Sequence, residues 1–228
     1  MPGPAADACQ DERYMRAALR EAARGLGRTS PNPTVGAVIV RGARIVARGY
    51  HHAAGQPHAE IEALRALRNP GLARGATLYV TLEPCSTHGR TPPCTDAIME
   101  AGLARVVIGA TDPNPRHDGR AVALLRENGV SVITGVLAEE CTRLNRAFNK
   151  WISTGEPWVI AKAALTRDGC LTRALGAGRW LSGTQSRRHA HRQRALVDAI
   201  LIGAGTLRAD NPRLTVRGVR GAEMRQPW

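Results

Sequence analysis

Residues 34–67 read TVGAVIVRGARIVARGYHHAAGQPHAEIEALRAL. Residues 34–40 form an apolar run that meets Arg41-Gly42, a pair suited to a tight turn, and residues 43–50 then return as a second, half-apolar run. Strand, turn and strand make a hairpin. At residues 58–67 the period changes: Ile61, Leu64 and Leu67 recur at the three-residue spacing that lines one face of a helix.

Upstream of the hairpin, residues 11–24 predict an amphipathic helix with Tyr14, Ala18 and Ala22 on one side and Asp11 near its start; Pro31 and Pro33 end that pattern. Downstream, strands are expected at 76–82, 105–110 and 130–135. Helices are expected at 94–102, closed by Gly102, at 120–128 and at 138–152. Helix, hairpin, then alternating strands and helices imply an α/β/α domain built on a mixed sheet. This domain is placed at residues 10–152. STGEP at 153–157 reads as a linker, and residues 158–228 as a second unit: a strand at 158–165, a helix near 184–196 and a strand at 198–204. One strand–helix–strand unit is little for an independent α/β domain, so the second unit is expected to be incomplete.

The composition narrows the function classes. With 43% hydrophobic residues, the 228-residue chain can bury a core. No uninterrupted apolar run approaches the roughly 20 residues that span a bilayer. The first residues show no basic region followed by an apolar stretch, which predicts a cytoplasmic protein without a membrane partner. The net charge is +13, with Lys150 and Lys162 the only lysines among 32 basic residues. An arginine-rich composition and an anionic partner both account for that charge. Residues 151–228, with 13 basic and 5 acidic residues, are the more basic part. The cysteines are Cys9, Cys85, Cys94, Cys141 and Cys170, and an odd number argues against a disulfide framework. Cys9, Cys141 and Cys170 read as ordinary thiols.

Cys85 and Cys94 are different because of their surroundings. Pro57-His58-Ala59-Glu60 opens one helix, Glu83-Pro84-Cys85 ends a strand, and Pro93-Cys94 opens the next helix. One imidazole and two thiolates form a soft donor set that suits zinc and leaves a fourth position for water. Glu60, two residues beyond His58, can stand beside that water as a proton shuttle without ligating the metal. Helix starts at His58 and Cys94 favour the negative charge of thiolate and hydroxide. His-x-Glu followed by Pro-Cys-x-x-Cys is the known signature of zinc nucleobase deaminases. Here the cysteines are nine residues apart, separated by the loop STHGRTPP. A structural zinc would want a fourth Cys or His, and His88 is the nearest spare imidazole.

PNPTVGAVIV, GYHHAAGQPHAE, YVTLEPCSTHGRTPPC and TDPNP closely resemble the bifunctional riboflavin-biosynthesis deaminase/reductase family. The long loop between the two cysteines separates this family from cytidine, guanine and tRNA adenosine deaminases. In the later segment the resemblance rests on AKAALTRDG, GRWLSGTQSRRHAH and DAILIGAGTLRADNPRLTVR. The resemblance implies a cytidine-deaminase-like domain followed by the start of a dihydrofolate-reductase-like one. It implies hydrolytic deamination of 2,5-diamino-6-(5-phosphoribosylamino)pyrimidin-4(3H)-one, with zinc-bound hydroxide as nucleophile and Glu60 as proton shuttle. Asn32 and His51 would contact the base or orient the shuttle. Asp112 and Asn114 would bind the ribose phosphate, and Arg90 would stand near the phosphate, for which guanidinium is suited. Thr87 occupies a position where members often have histidine.

In the second segment, Lys162, Asp168, Arg187 and Asp210 would lie at a reductase substrate site. Gly203, Gly205 and Thr206 would lie near the NADPH nicotinamide. The stretch Thr166-Arg167-Asp168-Gly169-Cys170 departs from the family's serine-leucine-aspartate-glycine-lysine, and the family's reductase activity is expected to be absent or incomplete. The implied partner is a phosphorylated small molecule, with a homo-oligomer allowed. Two other readings stay open: deamination of another base, including one in RNA, and a non-catalytic zinc or nucleic-acid-binding module. With 4% aromatic residues the chain offers few stacking platforms for bases, so no nucleic acid is expected. Glu60 argues against the binding module, which has no need of a carboxylate beside a metal water.

Overall fold

The computed structural model describes residues 4–87, 92–115, 117, 119–172, 180–219 and 227. The chain divides into two compact units, Met1–Trp158 and Val159–Trp228.

The first unit is built on a five-stranded sheet of order β2-β1-β3-β4-β5, from β1 (Gly36–Arg41), β2 (Arg44–Tyr50), β3 (Thr77–Leu82), β4 (Arg105–Ala110) and β5 (Ser131–Thr134). β1 runs antiparallel to both β2 and β3, whereas β3, β4 and β5 are parallel, which makes the sheet mixed. The three inner strands are buried along almost their whole length, while the edge strands β2 and β5 alternate. This is why GAVIVR, TLYVTL and RVVIGA read as continuous apolar runs: both of their faces are covered.

Helices α1 (Pro4–Ala22), α2 (Ala59–Arg65), α3 (Cys94–Glu100), α4 (Arg120–Glu127), α5 (Ala138–Leu144) and α6 (Arg146–Thr154) belong to this unit. Two glycines show where the covering helices lie. A Cβ at Gly36 would come within 2.2 Å of Ala18 O in α1, and one at Gly49 within 2.3 Å of Ala63 N in α2. Gly49 pairs with Ala37, the neighbour of Gly36, so α1 and α2 lie on opposite faces of the sheet. Arg16 of α1 reaches Glu140 of α5 at 4.0 Å, which puts those helices on one side; α2, α3 and α4 follow one another across the other side. Buried Asp11 of α1 holds its helix to the sheet. It accepts from Tyr79 Oη at 2.8 Å and from both Arg105 terminal nitrogens at 2.9 and 2.7 Å. The continuous apolar core runs from Tyr14 to Cys141.

The structure corrects three expected elements. The helix expected over 138–152 is two helices meeting at Asn145. The reason is chemical: the buried Asn145 amide accepts from Thr34 N at 2.7 Å and donates to Thr34 O at 2.9 Å, bracing the chain just before β1. Residues 158–165 and 198–204 are not strands. An extended segment becomes a strand only against a row of donors and acceptors, and no sheet forms among the described residues of the second unit. Val159 and Leu201 accordingly stand 78% and 97% exposed. The second unit's described helices are α7 (Thr184–Arg194) and α8 (Ala204–Asp210). No helix among the described residues is long and apolar enough to cross a membrane.

Candidate active site

The site lies at the carboxyl ends of β3 and β4 and at the starts of α2 and α3, where first-turn amides have no partner within their own helix and favour anions. His58 is the residue before α2, still extended at φ −72° and ψ 163°, and its carbonyl accepts from Glu62 N at 3.0 Å. Cys85 follows β3 after Glu83-Pro84, and Cys94 is the first residue of α3. The long loop between the cysteines is closed at its base: Cys94 N donates to Cys85 Sγ at 3.3 Å and Thr95 N to Cys85 O at 3.2 Å.

Among the described residues, His58, Cys85 and Cys94 form the one cluster of donor atoms that could hold a metal ion, all within 4.8 Å of one another. His58 Nδ1 lies 3.5 Å from Cys85 Sγ and 3.3 Å from Cys94 Sγ. Zinc bonds of about 2.0 Å to nitrogen and 2.3 Å to sulfur, meeting near the tetrahedral angle, separate the two donors by about 3.5 Å. The donor spacing therefore fits a tetrahedral zinc, and three protein ligands leave one position open.

The electrostatics agree with that fit. The Cys85 thiol is drawn down to about 4, chiefly by the hydrogen bond from the Cys94 thiol and further by His58. Cys94 is pushed up because it retains the proton beside a thiolate. The hydrogen bond to Cys85 raises the His58 imidazole to about 9. A thiolate with adjacent protonated groups is a set whose protons a divalent cation displaces. Glu60, in the first turn of α2, is buried. Burial first, then the charge of Cys85, pushes its carboxyl up to about 7. A carboxyl so placed can hold or release a proton near neutral pH.

His51 packs against His58 of the cluster, and Asn32 is bonded to His51. His51 Nδ1 lies 3.0 Å from the Pro57 carbonyl, which can only accept, so the proton is on Nδ1. Nε2 then accepts from Asn32 Nδ2 at 3.1 Å, which turns Asn32 Oδ1 away from His51 as an acceptor. Burial lowers the His51 pKa and keeps this arrangement neutral. The His51 ring meets His58 edge-on, with centroids 5.5 Å apart. Asp112 is buried after β4, its Oδ1 accepts from Asn114 N at 2.9 Å, and burial raises its pKa. Thr87 is exposed in the loop after Cys85. Arg90 and His88 lie outside the described residues.

In the second unit, Lys162 and Asp168 are exposed. Arg187 of α7 donates to Ser182 O at 2.6 Å and lies over the Trp180 ring at 4.7 Å. Gly203 caps α8, Gly205 and Thr206 lie in its first turn, and Asp210 ends it.

Two buried residues of the site's frame carry no signal in the sequence pattern. Asn145 braces Thr34, two residues after Asn32, from 111 positions away. Glu83 directs its carboxylate into the loop after β4, accepting from the backbone N–H groups of Asp112 at 3.3 Å and of Gly119 and Ala121 at 3.1 Å each.

Comparison with known proteins agrees with this geometry. Residues 8–110 match the cytidine and deoxycytidylate deaminase zinc-binding region, and residues 157–228 match the RibD C-terminal domain. The riboflavin biosynthesis protein RibD of Aquifex aeolicus is 47% identical over 209 residues, 92% of this chain and 58% of that protein. The RibD of Escherichia coli strain K12 is 48% identical over 91% of this chain and 56% of its own. A solved structure of a diaminohydroxyphosphoribosylaminopyrimidine deaminase/5-amino-6-(5-phosphoribosylamino)uracil reductase from Thermotoga maritima superposes with a TM-score of 0.90. It is 45% identical, over 97% of this chain and 62% of that one. The chain thus spans less than two thirds of the length of each of these three relatives.

Proposed function

This chain belongs to the RibD family of riboflavin-biosynthesis proteins, and from that premise we propose that its first unit deaminates 2,5-diamino-6-(5-phosphoribosylamino)pyrimidin-4(3H)-one to 5-amino-6-(5-phosphoribosylamino)uracil. The observation that carries the proposal is the His58–Cys85–Cys94 cluster at zinc spacing with Glu60 buried in the same first helical turn. His58, Cys85 and Cys94 would hold zinc. When bound, zinc lowers the pKa of a coordinated water to about 7 and so supplies a nucleophile at neutral pH. Glu60 takes the proton from the attacking water and returns it to the departing amine, so that water is consumed and ammonia leaves. Asn32, held by His51, presents Oδ1 to an N–H edge of the pyrimidine and fixes which ring carbon faces the nucleophile. Asp112 and Asn114 bind the ribose phosphate portion, with Arg90 pairing the phosphate.

The match of residues 157–228 to the RibD C-terminal domain supports reading the second unit as part of the family's NADPH-dependent reductase domain. Lys162, Asp168, Arg187 and Asp210 are assigned to its substrate, and Gly203, Gly205 and Thr206 to the nicotinamide cofactor. The deaminase is tested by ammonia release from the phosphoribosylaminopyrimidine against cytidine and guanine, with zinc quantified in the same sample. Turnover of the phosphorylated substrate alone, with about one zinc per chain, is the expected result. Preference for either free base or nucleoside would overturn the assignment.

A further inference from the structure

We propose that Glu83 is a positioning residue that shapes the substrate loop after β4 and ties it to the metal-ligand end of β3; the substrate side of this inference rests on the function proposed above.

Leu82 and Ala110 are the paired last residues of the parallel strands β3 and β4, and Glu83 N donates to Ala110 O at 2.9 Å. Beyond this point the strands part. One continues through Pro84 to Cys85, the other into the loop holding Asp112 and Asn114. Glu83 is buried between them. Its Oε2 accepts from Asp112 N at 3.3 Å and Gly119 N at 3.1 Å, and its Oε1 from Ala121 N at 3.1 Å. One carboxylate therefore closes both ends of the loop and takes an amide from the first turn of α4. Gly119 stands at φ 77°, a left-handed conformation open to glycine without strain.

These contacts define a role distinct from that of Glu60. Both Glu83 oxygens serve backbone donors, so its effect on a substrate runs through the loop. Asp112 makes the next link, since its own N–H is held by Glu83 while its Oδ1 holds Asn114 N at 2.9 Å. An ionised carboxylate can accept three N–H groups on two oxygens. A glutamine has one oxygen and would set its NH2 donors against the remaining amides, leaving buried donors unsatisfied.

The test is Glu83→Gln in the full chain, with two readouts. The first, made without substrate, is amide hydrogen exchange. The amides of Asp112, Gly119 and Ala121 are expected to exchange at least about tenfold faster in the variant, with those of β1, β3 and β4 unchanged and zinc content retained. The second is steady-state deamination, with KM expected to rise about tenfold and kcat to fall by less than about threefold. Unchanged exchange with unchanged KM overturns the proposal. Faster exchange across the whole sheet overturns it as well, because Glu83 would then be a general stabiliser. Should Glu83→Gln fail to fold, Glu83→Asp decides: its carboxylate is one methylene short and is expected to give a smaller rise in KM and faster exchange at the same amides, and wild-type values for both overturn the proposal. If the wild-type chain does not turn over the phosphoribosyl substrate, the proposed function fails, while the exchange readout still decides whether Glu83 orders the loop.

Discussion

Glu60 is the residue on which the proposed chemistry turns. It lies in the first turn of α2, one position beyond Ala59 and two beyond His58, so the backbone that places the imidazole also places the carboxylate. Glu60→Gln keeps the side chain's shape and removes its basicity. The variant is expected to hold zinc and melt near the wild-type temperature while losing about 10²- to 10⁴-fold in kcat. Zinc analysis, a thermal melt and ammonia release on one preparation check this; turnover near the wild-type rate would remove Glu60 from the proton path. At this scale the site was legible wherever residue type and local context carry the chemistry. His58, Cys85 and Cys94 each follow a proline or a Pro-ended turn at an element boundary, and ligand atoms are rare enough to read. Glu83 and Asn145 were not legible, because their partners are backbone groups at Asp112, Gly119, Ala121 and Thr34. Every residue carries such groups, so sequence spacing gives no sign of them.

Among the elements, the contact of α2 with β2 fixes where His58 and Glu60 stand. Gly49 makes that contact possible: a Cβ there would lie 2.3 Å from Ala63 N and 2.4 Å from Ala59 O, both backbone atoms of α2. Backbone cannot swing aside as a side chain can, so Gly49→Ala must push the helix away from the sheet. The expected cost is about 3 kcal/mol, at the upper end for overpacking. Because Ala59 begins α2, the displacement should also loosen the metal cluster and reduce zinc content. Gly183→Ala is the control, since a methyl there meets nothing within 4 Å. Equal melting temperatures and zinc contents for the two variants would show that α2 yields at no cost. The same scale shows where periodicity misleads. The run 138–152 has helical composition throughout, yet Asn145 interrupts it to brace Thr34, a long-range demand that no local window contains. The runs 158–165 and 198–204 have strand-like composition, but strand formation depends on a neighbour.

For the whole molecule, the two units differ in how far they satisfy themselves. The continuous core, from Tyr14 to Cys141, lies inside the first unit, as do His58, Glu60, Cys85, Cys94, Asn32, His51, Asp112 and Glu83. In the second unit Val216 is the one buried apolar residue among those described, whereas Val159, Leu165, Leu171 and Leu201 are exposed. Hydrophobic burial is the main favourable term in folding, so the first unit carries its own stabilisation. Its metal donors, proton shuttle and loop frame also lie within residues 1–158. We therefore expect residues 1–158, expressed alone, to melt in one cooperative transition, hold about one zinc and release ammonia from the phosphoribosylaminopyrimidine within about threefold of the full chain's kcat/KM. Calorimetry, metal analysis and the same ammonia assay decide it. A fragment that folds but lacks zinc would place a missing ligand or support in the second unit. One that holds zinc with wild-type kcat and a much higher KM would place part of the substrate's binding surface there.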